Sequence, residues 1–190
     1  MSAQRWIVAI TGASGIVYGV RLLEALRALG LESHLVLTAA AEVTLHHECT
    51  LTAEQIVALA THHHDPHDLA APIASGSYRT AGMFVAPCSI KTLSTIAHSH
   101  AGTLVARAAD VTLKEGRPLL LAVRETPLHL GQLRLLVQAA ELGAVIFPPL
   151  PAFYNRPQTV AELVTESVGR MLARVGIENQ IYHTWSGVDS

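Results

Sequence analysis

The chain has 190 residues with 13 Lys+Arg against 15 Asp+Glu; half of its residues are apolar and 15% are charged. These values fit one globular domain spanning residues 1–190 and exclude a disordered chain, a disulfide scaffold built on two cysteines, and a basic nucleic-acid binder. A formal charge of −2 gives no excess positive field for a polyanion, although a local basic pocket can still take a small anion.

Residues 5–10 (Arg-Trp-Ile-Val-Ala-Ile) form an apolar run that stops at Thr11-Gly12-Ala13-Ser14-Gly15, the pattern of a buried parallel strand entering a tight turn. Val17, Leu22, Leu23, Leu26 and Leu29 then recur at helical spacing, and Gly30 supplies a stop. Residues 33–38 read as a second strand, which completes a β-α-β unit with a right-handed crossover. Helices are predicted over 39–49 and 52–60, followed by a polar loop at 62–68 and a short segment at 73–77. A strand at 82–86, a turn at Pro87-Cys88-Ser89 and a helix to about residue 98 come next. Then follow a helix at 101–114, a strand at 118–123, a helix at 129–142 and a strand at 144–147. Pro148-Pro149-Leu150-Pro151 can continue neither element, so the chain crosses open ground before a last helix at 159–174.

This alternation predicts an α/β fold with a doubly wound, mainly parallel sheet flanked by helices. Ligands of such sheets sit outside the carboxyl ends of the strands, which singles out Ser14, Thr38, Ser89, Arg124 with Glu125, and Tyr154. The high apolar content with few charges points to surface buried in an oligomer. The apolar start is too short for a signal segment, and no run approaches the ~18 to 20 residues that span a bilayer, so a cytoplasmic protein is expected.

The turn at 11–15 places backbone N–H groups and a serine hydroxyl at a helix N-terminus, where the dipole favours anions; the plain alternative is a tight turn with a serine cap. Neither a Gly-x-Gly-x-x-Gly nor a Walker lysine accompanies it. Arg107, Asp110 and Lys114 have the spacing of surface ion pairs, but the fold can bring Arg124 and Arg170 toward the same phosphate. His46-His47 on a helix point apart, and His62-His63-His64 with His67 lack a Cys partner or Glu-x-x-His pattern, so a solvated loop and no metal site are expected. Cys88 at a strand end reads as a packed thiol rather than a nucleophile.

Thr11-Gly12-Ala13-Ser14-Gly15 with Tyr18-Gly19, Ser75-Gly76-Ser77, Pro87-Cys88-Ser89-Ile90-Lys91-Thr92-Leu93 and Arg107-Ala108-Ala109-Asp110-Val111 together resemble the UbiX-type flavin prenyltransferases. The resemblance continues through Leu113-Lys114-Glu115, Arg124-Glu125-Thr126-Pro127, Gly143-Ala144-Val145-Ile146, Pro151-Ala152-Phe153-Tyr154, Arg156-Pro157-Gln158 and Trp185. It implies transfer of a dimethylallyl group from dimethylallyl phosphate to N5 and C6 of reduced FMN, giving the prenylated FMN used by a UbiD-type decarboxylase. It further implies FMN contacts from Gly12, Ala13, Ser14, Thr38, Ser89, Ile90, Lys91, Thr92 and Arg124. Arg107, Lys114, Tyr154 and Arg170 would hold the prenyl phosphate, some across a subunit boundary of a dodecamer, and Glu48, Ser14 and Glu125 would handle protons. Thr38 stands where many relatives have serine, Gly116 where a second arginine is common, and Leu69 in a stretch where some have tryptophan.

These residue types suit the chemistry. Cations at the leaving phosphate stabilise its growing charge, a dry pocket protects an allylic cation, and a carboxylate such as Glu48 or the retained phosphate can take the proton lost on ring closure. No Asp-Asp-x-x-Asp run is present, so a metal-independent reaction is expected, with the monophosphate favoured over the diphosphate. A flavin-dependent cysteine decarboxylase would carry Pro-x-Met-Asn-x-x-Met-Trp, which is missing here. A non-catalytic FMN-binding subunit of a decarboxylase complex is the alternative from another class.

Overall fold

β1 (Arg5–Ile10) is buried from its second residue onward on both faces, as an unbroken apolar strand must be. The computed structural model describes residues 4–185 and 187. After β1 come α1 (Ile16–Ala28), β2 (Glu32–Leu37), α2 (Ala39–Glu48), α3 (Ala53–Val57) and β3 (His62–His64). A 3-10 turn (Pro72–Ala74) leads to β4 (Gly82–Cys88), α4 (Ile90–Ala97), α5 (Leu104–Lys114) and β5 (Leu119–Val123). The chain closes with α6 (Leu130–Glu141), β6 (Val145–Ile146) and α7 (Val160–Arg174).

The six strands form one sheet in the order β3-β2-β1-β4-β5-β6, and every pairing is parallel. The doubly wound sheet expected from the sequence is therefore what forms. Trp6, Val8 and Ile10 pack with α1, α2 and α7 on one face, while Ile7 and Ala9 pack with α4 and α5 on the other. The strand order reverses between β1 and β4, so their carboxyl ends border the crevice where such sheets bind ligands.

Several predicted elements shift. Residues 62–64 are not a solvated loop: they form β3, pairing His34 with His62 and Val36 with His64 at the sheet edge. The helix predicted at 101–114 starts at Leu104, because the Thr103 hydroxyl accepts the Ala106 N–H and caps it there. The helix predicted at 52–60 shortens to Ala53–Val57, opened by a Thr52/Gln55 capping box, and the strand at 144–147 to Val145–Ile146. On α6 only Ala139 is fully buried, and Leu130, Leu133 and Val137 face outward, an apolar stripe wider than one chain covers. No helix among the described residues is long and apolar enough to cross a membrane.

Candidate active site

The ends of β1 and β4 are stitched together by one side chain. The Thr11 hydroxyl donates to the Pro87 carbonyl at 2.8 Å and accepts the Ser89 N–H at 2.9 Å. This sets the Gly12-Ala13-Ser14 turn beside the start of α4, and between them opens a cleft with two lobes. The first, about 610 Å³, is lined by Gly12, Ala13, Ser14, Arg124, Glu125 and the wall from Pro148 to Pro151, among others. The second, about 460 Å³, includes Thr38, Lys91, Thr92, Pro66, His67 and Thr103 in its lining. Gly12, Ser89, Ile90 and Glu125 line both.

The second lobe is ringed by helix N-termini. α2, α4 and α5 begin there with Thr38, Ser89 and Thr103 as caps, and each hydroxyl accepts a backbone N–H of its own first turn. The Ser89 and Thr92 hydroxyls also meet at 3.0 Å. Three positive dipole ends, several hydroxyls and the Lys91 ammonium make this lobe suited to a phosphate. Gly12 has to be glycine for the turn to pack against the start of α2, since a Cβ there would lie 2.5 Å from the Ala40 Cβ.

Arg124 dominates the first lobe. Its guanidinium carbon lies 5.5 Å from the centre of the Tyr18 ring, and its Nε is buried with no hydrogen-bond partner among the described residues. A buried charged donor without an acceptor is costly, so this position calls for an acceptor supplied by a ligand. The stem of Arg124 passes over Gly15, whose φ of +103° is open to glycine alone. Glu48 secures the same turn: its Oε2 accepts the N–H groups of Gly15 at 2.7 Å and Ile16 at 3.1 Å. Desolvation opposes ionisation of Glu48, yet the Ser14 side chain, these two N–H groups and the Arg124 charge hold its carboxyl below the usual range.

All nine residues expected to contact FMN thus line the cleft, as do Ser14 and Glu125 of the proton-handling set. Glu48 reaches it only through the turn. Arg107, Lys114, Tyr154 and Arg170 line neither lobe within one chain. Arg107 bonds the Ala74 carbonyl and Asp110, and Lys114 pairs with Glu115. Tyr154 donates to the His183 carbonyl and lies edge-on to Trp185, while Arg170 is exposed on α7. Cys88 is fully buried, and burial pushes its thiol far up, as a packed cysteine requires. The sequence reading missed the proline wall and the pair Pro66 and His67; their signal was position, directly after β6 and β3.

Residues 1–169 match the flavoprotein family model. The flavin prenyltransferase UbiX of Escherichia coli (strain K12) is 53% identical over 187 residues, which cover 97% of this chain and 99% of that one. The chain belongs to the UbiX flavin prenyltransferases. Their Archaeoglobus fulgidus member is 50% identical over 181 residues, 95% of this chain and 99% of its own. Among solved structures of the family, AnUbiX (PadA1) in complex with FMN and dimethylallyl pyrophosphate matches with a TM-score of 0.96 at 43% identity, over 98% of this chain and 100% of that one. A dodecameric FMN-dependent UbiX-like decarboxylase from Escherichia coli O157:H7 matches with a TM-score of 0.94 at 45% identity, over 97% and 100%.

Proposed function

We propose that the chain transfers a dimethylallyl group from dimethylallyl phosphate to N5 and C6 of reduced FMN, and that the prenylated FMN serves a UbiD-type decarboxylase. The observation that carries this reading is the cleft itself: an anion lobe joined to a lobe with an orphaned, buried Arg124 Nε, in a chain of this family. Reduced FMN supplies the nucleophilic centres when bound.

The chain's own groups supply the rest. Thr38, Ser89, Lys91 and Thr92 hold the flavin phosphate in the second lobe, and the turn at Gly12-Ala13-Ser14 supports the ring in the first. Arg124 donates to the ring side of the cleft, satisfying its buried Nε. Pro148 to Pro151 give the first lobe an apolar wall, against which bound substrates would shield an allylic cation from water. Arg107, Lys114, Tyr154 and Arg170 hold the prenyl phosphate in a site completed by neighbouring subunits, where their charges stabilise the leaving group. The proton released at C6 passes to a carboxylate. Glu125 lines both lobes and is exposed to them, while Glu48, linked to Ser14, keeps the turn in place as an ionised acceptor. We place the chain in the cytoplasm, where its two free cysteines stay reduced, as one domain in a homo-oligomer that covers the outward stripe of α6.

Reconstitution tests the reading against that of a non-catalytic subunit. The chain is incubated anaerobically with reduced FMN and dimethylallyl phosphate, removed by filtration, and the filtrate is added to an apo UbiD-type decarboxylase. Activation by the filtrate is expected. Decarboxylation that needs the chain itself throughout would favour the subunit reading.

A further inference from the structure

On the outer edge of the sheet, toward the amino end of β2, lies a cluster that the cleft does not use. Glu32 and His34 project from one face of β2, and the register of β3 sets His62 and His64 beside them on that face. Glu32 Oε1 is 3.2 Å from His34 Nε2 and 3.2 Å from His62 Nε2. We propose that Glu32, His34 and His62 form a binding site for a divalent transition-metal ion of the zinc class.

The distances carry the proposal. A tetrahedral ion with bonds of about 2.0–2.1 Å sets its ligand atoms about 3.3–3.4 Å apart, so both Glu32–His edges already have nearly that length. All three ligand atoms lie within 4.8 Å of one another, and a half-exposed His62 leaves its ring room to turn and close the third edge. Two imidazoles and one carboxylate suit a borderline-soft ion rather than magnesium or calcium, which take oxygen ligands.

The surroundings supply the outer support such sites use. His34 Nδ1 lies 2.9 Å from His64 Nε2, so when an ion replaces the proton between His34 Nε2 and Glu32, the proton on Nδ1 has His64 as its acceptor and the ring is held with Nε2 as the ligand. The Tyr78 hydroxyl lies 3.2 Å from the same Nε2, a contact that an ion on that nitrogen replaces. Arg5 Nε contacts both Glu32 oxygens at 3.2 Å; with an ion on Oε1 it stays on Oε2. The ion would tie the three-residue edge strand to β2, and β3 runs on to Pro66 and His67, which line the second lobe. Its place is structural, away from the transfer chemistry at the carboxyl ends of the strands.

The test is calorimetric titration of the untagged, chelator-treated full chain with Zn2+, with Mg2+ as the contrasting ion. One Zn2+ per chain is expected, with a raised thermal midpoint and no response to Mg2+. His62→Ala should weaken Zn2+ binding at least about 10-fold and remove the thermal shift, with an unchanged circular dichroism spectrum. His64→Ala should weaken it roughly 10- to 100-fold through loss of the tautomer lock. His63→Ala, on the opposite face of β3, should leave it intact. No binding by the wild type, equal binding of Mg2+, or undiminished Zn2+ binding in His62→Ala would overturn the proposal, the last by assigning the ion to other surface histidines.

Discussion

Gly15→Ala tests whether Arg124 is held in place by the absence of a side chain beneath it. At φ +103° an alanine carries backbone strain of about 1–3 kcal/mol. Its Cβ would also stand 2.7 Å from Arg124 Cδ, 2.9 Å from Arg124 Nε and 3.0 Å from Tyr18 Cδ2, overlap that costs about 1–3 kcal/mol more. Since the arginine stem can yield partly, a total of about 3 kcal/mol is expected. Gly30→Ala is the control. It too has a positive φ, +68°, but a Cβ there meets nothing within 4 Å, so only the backbone part remains, about 1–2 kcal/mol. Urea unfolding at fixed protomer concentration, with unchanged slopes, reads the difference directly. The double variant Gly15→Ala/Arg124→Ala removes the stem that the Cβ strikes, and should recover about 1–2 kcal/mol relative to the sum of the single variants. FMN binding, followed by flavin fluorescence, should be weakened in Gly15→Ala but not in Gly30→Ala. A Gly15→Ala protein no less stable than Gly30→Ala, with no coupling to Arg124, would refute the crowding and the positioning it implies.

Arg124→Ala alone should lower FMN affinity about 10- to 100-fold, the value of a charge-assisted hydrogen bond, with the fold intact by circular dichroism. Glu48→Gln should cost about 0.5–1 kcal/mol at neutral pH, because the amide keeps an acceptor for Gly15 and Ile16 but loses the charge at the start of α1. Glu48 has a folded pKa below the ordinary 4.5, so its contribution is present above that value and lost as pH falls through the folded one. Unfolding curves of wild type and Glu48→Gln should therefore converge in acid, and a constant gap would contradict the anchoring. Leu133→Asp with Val137→Asp places charges on the outward stripe of α6 and should give a smaller species by light scattering.

Much of the cleft was legible because its chemistry sits where strands stop. The apolar run of β1 ends in a glycine turn, and the hydroxyl residues Thr38 and Ser89 follow β2 and β4 directly, so a doubly wound sheet alone brings them to one edge. The histidine cluster was not legible. Glu32 and His34 are two apart on a strand and meet His62 only through strand register, which a three-residue strand of histidines does not announce. The C-terminal segment escaped for a related reason. His183 is tied back to the buried Glu166 by its N–H at 2.7 Å and its Nδ1 at 2.9 Å, contacts across a long sequence separation that no periodicity reveals. Arg107, Lys114, Tyr154 and Arg170 line neither lobe within one chain, so only the family resemblance, and no single-chain geometry, points to them as the prenyl-phosphate set.

The most direct measurement is mass spectrometry of the flavin extracted after anaerobic incubation of the purified chain with reduced FMN and dimethylallyl monophosphate, with the diphosphate as a second arm. A flavin heavier by one C5H8 unit, formed only with the chain present and reduced at limiting FMN in Arg124→Ala, is expected. Unmodified FMN from both donors, with FMN still bound to the chain, would contradict prenyl transfer and leave a flavin-binding protein.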